Sequence, residues 1–215
     1  MNYPFSFAAF DMDGTLIDSM AFWRESTRAY LEQHGIAVSD ELAAQLRSLP
    51  ASESAGIARP LCEQAGVPPI PAEYPLAYLE AGYRTLKAPK PGVRAYLDAL
   101  RAAGVRMCVA TATPEKQARF ALRQVGIEDY FEFVATPEQY PGGKKFRAIF
   151  DGIAGRFGAE PTQIAMIDDA LYSLKTAKEV GYYCISVHDA YSAHHEAEAR
   201  ALAQEHRYFT EEQPY

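Results

Sequence analysis

The sequence predicts an α/β fold, a doubly wound parallel sheet with a small all-helical domain inserted after the first strand. Three observations predict it. Through residues 88–209, short apolar runs alternate with segments of helical apolar periodicity, the pattern of strand–helix–strand units. No strand pattern interrupts residues 18–87, where helix starts recur instead. The runs ending at Phe10, Ala110 and Ile167 also stop at polar residues, as expected where a buried parallel strand reaches the edge of its sheet.

Composition narrows the partners. With 215 residues, 48% of them hydrophobic, the chain is long enough to bury a full core. A net charge of −7 speaks against nucleic acid and anionic membrane surfaces, which call for a basic patch, and favours a small molecule. The cysteines, Cys62, Cys108 and Cys184, lie far apart in apolar surroundings without zinc-site spacing, which suits buried thiols in a reducing compartment. Neither a signal-peptide pattern nor a membrane-spanning apolar stretch is visible, so a cytoplasmic location is expected.

In chain order, Phe5 to Phe10 reads as the first strand, with Asp11 the first residue past it. Asp13 points to the same side if the backbone stays extended, and Gly14 lets the chain turn away. Carboxylates placed in this way bind a divalent cation, attack an electrophile or carry a proton; a plain Asp–Gly turn is the other reading. A helix follows from an Asp18-Ser19 cap to His34-Gly35, with Phe22, Trp23, Tyr30 and Leu31 on the helical period. Ser39-Asp40-Glu41 opens a second helix to about Arg47, and Ala51-Ser52-Glu53 a third to Gly66. Beyond Pro68-Pro69-Ile70-Pro71, a fourth runs from about Ala72 to Leu86. The aromatic residues here, including Phe22, Trp23, Tyr78 and Tyr83, read as the core of the small domain.

Lys87 to Gly92 reads as a second linker, matched with Leu16 to Ser19 as the first. Val93 to Ala103 reads as a helix closed by Gly104, Val105 to Ala110 as a strand, and the segment after Thr111-Ala112-Thr113-Pro114 as a helix ending at Val125-Gly126. A short strand is expected at Phe131 to Val134 and a helix from about Lys144 to Phe157-Gly158. Strands at Ile164 to Ile167 and Tyr182 to Val187 flank a helix from Leu171 to Val180. Ala193 to Gln204 reads as a last helix, and His206 to Phe209 as an edge strand.

Three further polar sites stand at or near strand ends. Thr111 closes the second strand, with Thr113 as a capping residue and Pro114 in the first turn of the next helix. The Thr111 hydroxyl, the N–H groups of Ala112 and Thr113 and the helix dipole then suit a phosphoryl group, although a capped helix without ligand uses the same residues. Gly142-Gly143-Lys144-Lys145-Phe146 brings two cations to a helix start, where they are disfavoured unless an anion is near. Asp168-Asp169 follows its strand without a turn residue; two such acids are costly unless solvated or neutralised, and Mg²⁺ would compensate them. His34, His188, His194, His195 and His206 fall on loops or polar helices and receive no catalytic role.

Asp11-Met12-Asp13-Gly14-Thr15-Leu16-Ile17-Asp18-Ser19 resembles the first motif of the haloacid dehalogenase (HAD) superfamily, in the subgroup of β-phosphoglucomutase and many small-metabolite phosphatases. Thr111 at the end of an apolar strand is similar to the second motif. Gly143-Lys144 with Phe150 is similar to the third, Gly-Lys-Pro-x-Pro followed by Phe, with Lys145 and Arg147 where the prolines would stand, so that Lys145 stays a second candidate. Asp168-Asp169 with Leu174 to Gly181 resembles the fourth.

The resemblance implies a HAD-like, Rossmannoid catalytic core of residues 1–17 and 88–215, with a helical cap of residues 18–87 that excludes water and chooses the substrate. It implies a Mg²⁺-dependent phosphatase acting on a small phosphorylated metabolite, a sugar phosphate being one candidate. Asp11 would attack phosphorus, and Asp13 would protonate the leaving oxygen and then activate water. Mg²⁺ would be held by Asp11, the Asp13 carbonyl and Asp169, with Asp168 in support. Thr111, the Ala112 N–H and Lys144 would steady the phosphoryl oxygens, and Trp23 and Arg24 are the cap candidates for substrate contact. Dehalogenases resemble this branch but lack the second acid, present here as Asp13. The mutases carry a His where Trp23 stands and an Arg where Ala51 stands, so hydrolysis is expected over β-phosphoglucomutase-like transfer. A non-catalytic binding module on the same fold is the remaining alternative.

Overall fold

A computed structural model describes residues 3–49, 51–71 and 73–209, with side chains for all of these but 51 and 52. Six strands, β1 (Phe7–Phe10), β2 (Arg106–Ala110), β3 (Val134–Ala135), β4 (Ile164–Asp168), β5 (Tyr183–Val187) and β6 (Glu205–Arg207), form one parallel sheet in the order β3-β2-β1-β4-β5-β6. This is the doubly wound order in which ligands sit outside the carboxyl ends of the strands where the order reverses. β1 is central: Ala9 lies opposite Cys108 on one side and Met166 on the other.

Both sheet faces are covered, which explains why the strands read as unbroken apolar runs. Ala9, Cys108, Met166 and Cys184 pack on Ile149, Phe150 and Ile153 of α7 (Arg147–Phe157) and Leu174 and Ala177 of α8 (Leu171–Val180). Phe10, one residue on, turns its ring towards Tyr96 of α5 (Val93–Ala102) and towards Phe131. α6 (Glu115–Gln124) and α9 (Glu196–Leu202) complete the helices described in this unit. Because all the strands are parallel, their carboxyl ends meet at one edge.

The chain divides into two compact units, Met1–Asp18 with Leu86–Tyr215, and Ser19–Thr85. The second contains α1 (Met20–Gln33), α2 (Asp40–Ser48), α3 (Ala51–Ala65) and α4 (Tyr74–Tyr83) and, among its described residues, no strand. Its core gathers Tyr30, Leu31, Leu46, Ala58 and Cys62. Ser39 caps α2 by accepting a hydrogen bond from Leu42 N at 3.2 Å. Gly82 is required on α4, because a Cβ there would lie 2.4 Å from Phe22 Cγ. Tyr83 is fully buried, whereas Trp23 and Tyr78 are half-buried. The start expected at Ala72 lies outside the described residues.

Several expected elements shift. The strand expected at Phe131 to Val134 is regular only over β3, since a 3-10 turn at Glu128–Tyr130 occupies the approach and Phe131 is spent on Phe10. The helix expected from Lys144 is two pieces, a 3-10 turn at Gly143–Lys145 and then α7, separated by the extended backbone of Phe146. The last helix likewise opens as a 3-10 turn, Ala193–His195, before α9. No helix among the described residues is long and apolar enough to cross a membrane.

Candidate active site

The site grows from where β1 stops. Asp11 N donates to Ile167 O at 2.9 Å, so the ladder with β4 fixes the Asp11 backbone. Met12 is fully buried, and Gly14, at φ 91°, takes the left-handed conformation that a residue with a Cβ resists. Leu16 N and Ile17 N both return to Met12 O, closing a tight turn around Asp13 and Gly14.

The β4 end supplies the two other acids. Asp168 is completely buried; its Oδ1 accepts from Ala170 N at 2.8 Å and its Oδ2 from Lys144 Nζ at 2.7 Å. Lys144 Nζ also donates to Asp11 Oδ1 at 2.5 Å, leaving Asp11 Oδ2 buried with no hydrogen-bond partner. The structure thus brings Lys144, 4% exposed, to the acids, while Lys145 is exposed, its Nζ 5.9 Å from the centre of the Tyr172 ring. Asp169 is tied back to the turn after β1 through Thr15, whose hydroxyl donates to Asp169 Oδ1 at 3.3 Å and accepts from Asp169 N at 3.2 Å.

The β2 end departs from expectation. The N-cap of α6 is Pro114, not Thr113, and the hydroxyl of Thr113 instead donates to Asp13 Oδ2 at 2.8 Å. Thr113 N is occupied by Thr111 Oγ1 at 3.1 Å, so of the two backbone donors expected to receive an anion, this one already has a partner. Glu115 N donates to Glu138 Oε2 at 2.8 Å, so this donor too has a partner within the chain. The α6 N-terminus is therefore neutralised by a carboxylate of the chain itself. Ala112 remains exposed beside the buried Thr111.

Trp23 and Arg24 lie on α1, in the helical unit, with Arg24 Nη1 buried and without a hydrogen-bond partner. Sequence reasoning missed Thr15, Lys90 and Asp189. Lys90 and the buried Asp189 form a part-buried ion pair at 2.7 Å, and Lys90 Nζ also donates to Gly14 O at 2.5 Å. The only local signal was a lysine between two prolines in the second linker, which has no chemistry of its own to read.

Residues 6–181 match the haloacid dehalogenase-like hydrolase family. This chain belongs to that family. The haloacid dehalogenase-like hydrolase is 26% identical over 175 residues, 80% of each chain, to the phosphorylated carbohydrates phosphatase of Thermotoga maritima. It is 29% identical over 214 residues, 90% of this chain and 84% of the other, to the phosphoglycolate phosphatase of Rhodospirillum rubrum. In fold it is similar to the β-phosphoglucomutase of Clostridium difficile, at a TM-score of 0.71 and 18% identity over 97% of this chain and 92% of that one. It is also similar to a HAD family hydrolase of Deinococcus radiodurans, solved with bound phosphate and sodium, at a TM-score of 0.72 and 21% identity over 95% and 91%.

The electrostatics of this hydrolase centre on one cation among acids. Burial works against the Lys144 charge, but Asp11 and Asp168 outweigh it and hold the ammonium protonated well above the usual lysine range. Burial pushes the Asp11 carboxyl well above the usual carboxylate range, the pull of Lys144 notwithstanding, and Asp168 and Asp169 push the same way. Burial, then Asp168 and Asp189, push Asp169 up to about 7. One carboxylate oxygen each from Asp11, Asp168 and Asp169 lie within 4.8 Å of one another. Oxygen donors alone, excess negative charge and an orphaned buried Asp11 Oδ2 are a fit for a hard divalent cation. Asp168 already has both oxygens engaged, which leaves Asp11 and Asp169 as the better direct ligands.

This arrangement carries a prediction. Raised carboxyls bind protons more tightly in the folded protein than in the unfolded chain, so their contribution to metal-free stability is lost as pH rises from about 4 through about 7. A bound cation offsets that loss. Thermal melts are therefore expected to show a larger Mg²⁺-induced rise in Tm at about pH 8 than at about pH 5. Equal rises at both values would place the cation away from these acids.

Proposed function

We propose that this haloacid dehalogenase-like hydrolase is a Mg²⁺-dependent phosphatase that hydrolyses a small phosphorylated metabolite through an aspartyl-phosphate on Asp11. The observation that carries the reading is a buried Asp11 with one oxygen gripped by Lys144 and the other without a partner. A carboxylate so held is desolvated and aimed, as a nucleophile needs to be. The names of the phosphatase relatives point the same way.

In this reading, an Asp11 oxygen forms a bond to phosphorus as the ester P–O bond breaks, and Asp13 gives its proton to the leaving oxygen. Water then attacks the phosphorus of the aspartyl-phosphate, Asp13 takes the water proton, and phosphate and Asp11 are released. Thr113, by donating to Asp13 Oδ2, holds that acid in place. Lys144, the Thr111 hydroxyl and the Ala112 N–H balance charge on the phosphoryl oxygens. Mg²⁺, held by Asp11, Asp169 and the Asp13 carbonyl with Asp168 in support, would add further charge compensation and orient the phosphoryl group. Trp23 and Arg24 are assigned to choosing the substrate. Three buried free thiols accord with a reducing, cytoplasmic setting.

Hydrolysis of p-nitrophenyl phosphate with Mg²⁺ tests the phosphatase against a non-catalytic binding module, and a panel of phosphorylated metabolites names the substrate. Against a mutase, the test is β-glucose 1-phosphate with a trace of glucose 1,6-bisphosphate. Free phosphate is expected, since Trp23 and Ala51 replace the mutases' His and Arg. Fast formation of glucose 6-phosphate with negligible phosphate release would overturn the assignment.

A further inference from the structure

We propose that Lys90, together with Asp189, is a positioning residue for the general acid, a role that rests on the reading of Asp13 given above. Lys90 grips the turn after Asp13 twice: its backbone N donates to Leu16 O at 2.9 Å and its Nζ to Gly14 O. Asp189, just past β5, holds the ammonium at 2.7 Å through Oδ2, while its Oδ1 accepts from Tyr191 N at 2.9 Å. The two side chains are 12% and 4% exposed. Burying such a pair adds little stability over apolar packing of the same volume; its two charges act on Asp169 in opposite directions, and what the pair supplies to the turn is a fixed geometry.

That geometry belongs to Asp13 more than to Asp11. Asp11 is fixed independently, by the β4 ladder through Ile167 O and by Lys144. Asp13 sits between two engaged carbonyls, Met12 O, which closes the turn, and Gly14 O, which Lys90 holds. An acid has to stand within hydrogen-bond reach of the leaving oxygen, so slack in this turn falls first on proton delivery, and saturating Mg²⁺ holds constant its effect on the Asp13 carbonyl. Sequence places the two residues 99 apart, in a linker and beyond the fifth strand.

The experiment compares kcat/KM, which reports steps through transfer to Asp11, on two substrates under saturating Mg²⁺. p-Nitrophenyl phosphate has a leaving group that departs without protonation; the alkyl phosphate that the wild type hydrolyses fastest does not. Lys90→Met is expected to lose about thirtyfold or more on the alkyl phosphate and about threefold or less on the aryl one, within the range for misplacing a general acid. Asp189→Asn, which keeps the bond to Gly14 O, loses less, with the same selectivity. Lys90→Met/Asp189→Asn leaves no unpaired buried charge and carries the test should the single variant not fold. Lys87→Met, an exposed lysine of the same linker, serves as the control and keeps wild-type values. Equal losses on the two substrates, or none, would overturn the positioning role while leaving the phosphatase reading intact. A wild type that hydrolyses no phosphate ester would instead remove the reading on which it rests.

Discussion

Asp11→Asn is expected to abolish turnover while the protein stays folded. A carboxamide has almost the shape of the carboxylate but is a poor nucleophile and a weaker ligand for a hard cation, so the loss should reach about three orders of magnitude. The structure argues that the fold survives. Asp11 is buried among Asp168 and Asp169, and its charged form is disfavoured there, so a neutral side chain relieves repulsion even as it weakens one bond to Lys144. Lys144 keeps its second partner, Asp168 Oδ2 at 2.7 Å. Melting temperature should therefore change by no more than a few degrees, and turnover of p-nitrophenyl phosphate should vanish at every Mg²⁺ concentration. Retention of more than about a tenth of wild-type activity would exclude Asp11 as the nucleophile.

Lys144→Ala should cost about a hundredfold or more in kcat, and Lys145→Ala almost nothing. The contrast follows from burial: Lys144 Nζ bridges Asp11 and Asp168, whereas Lys145 is exposed and reaches neither. Removing Lys144 also leaves three neighbouring acids without their cation, and breaking a buried pair in this way typically costs about 3–5 kcal/mol. Lys144→Ala should thus melt well below wild type without Mg²⁺ and recover part of the difference with it. Equal activity losses at the two positions would mean that the lysine bridge seen here is not what turnover depends on.

Much of the core was readable because the relevant signals are local. The apolar run to Phe10 ends at Asp11, and Ile164 to Ile167 ends at Asp168-Asp169, since a strand buried on both faces records its own length in the sequence. α8 begins at Leu171 and ends at Val180, where Gly181 takes a left-handed conformation, as its sequence pattern indicated. Lys144 was picked out by register alone. The segment folds as a 3-10 turn, and only the packed structure separates Lys144 from its neighbour.

By itself, then, the sequence determined the order of strands and helices, the helical insertion and the polar residue that ends each main strand, because periodicity and strand ends are written in adjacent residues. Partner choice was decided by the tertiary structure. Thr15 meets Asp169 across 154 positions and Lys90 meets Asp189 across 99, while Glu138 takes the α6 N-terminus from 23 positions away. Each pairing depends on which strand lies beside which. A buried charge or donor takes the partner that the sheet order brings within hydrogen-bond distance, and no local pattern carries that distance.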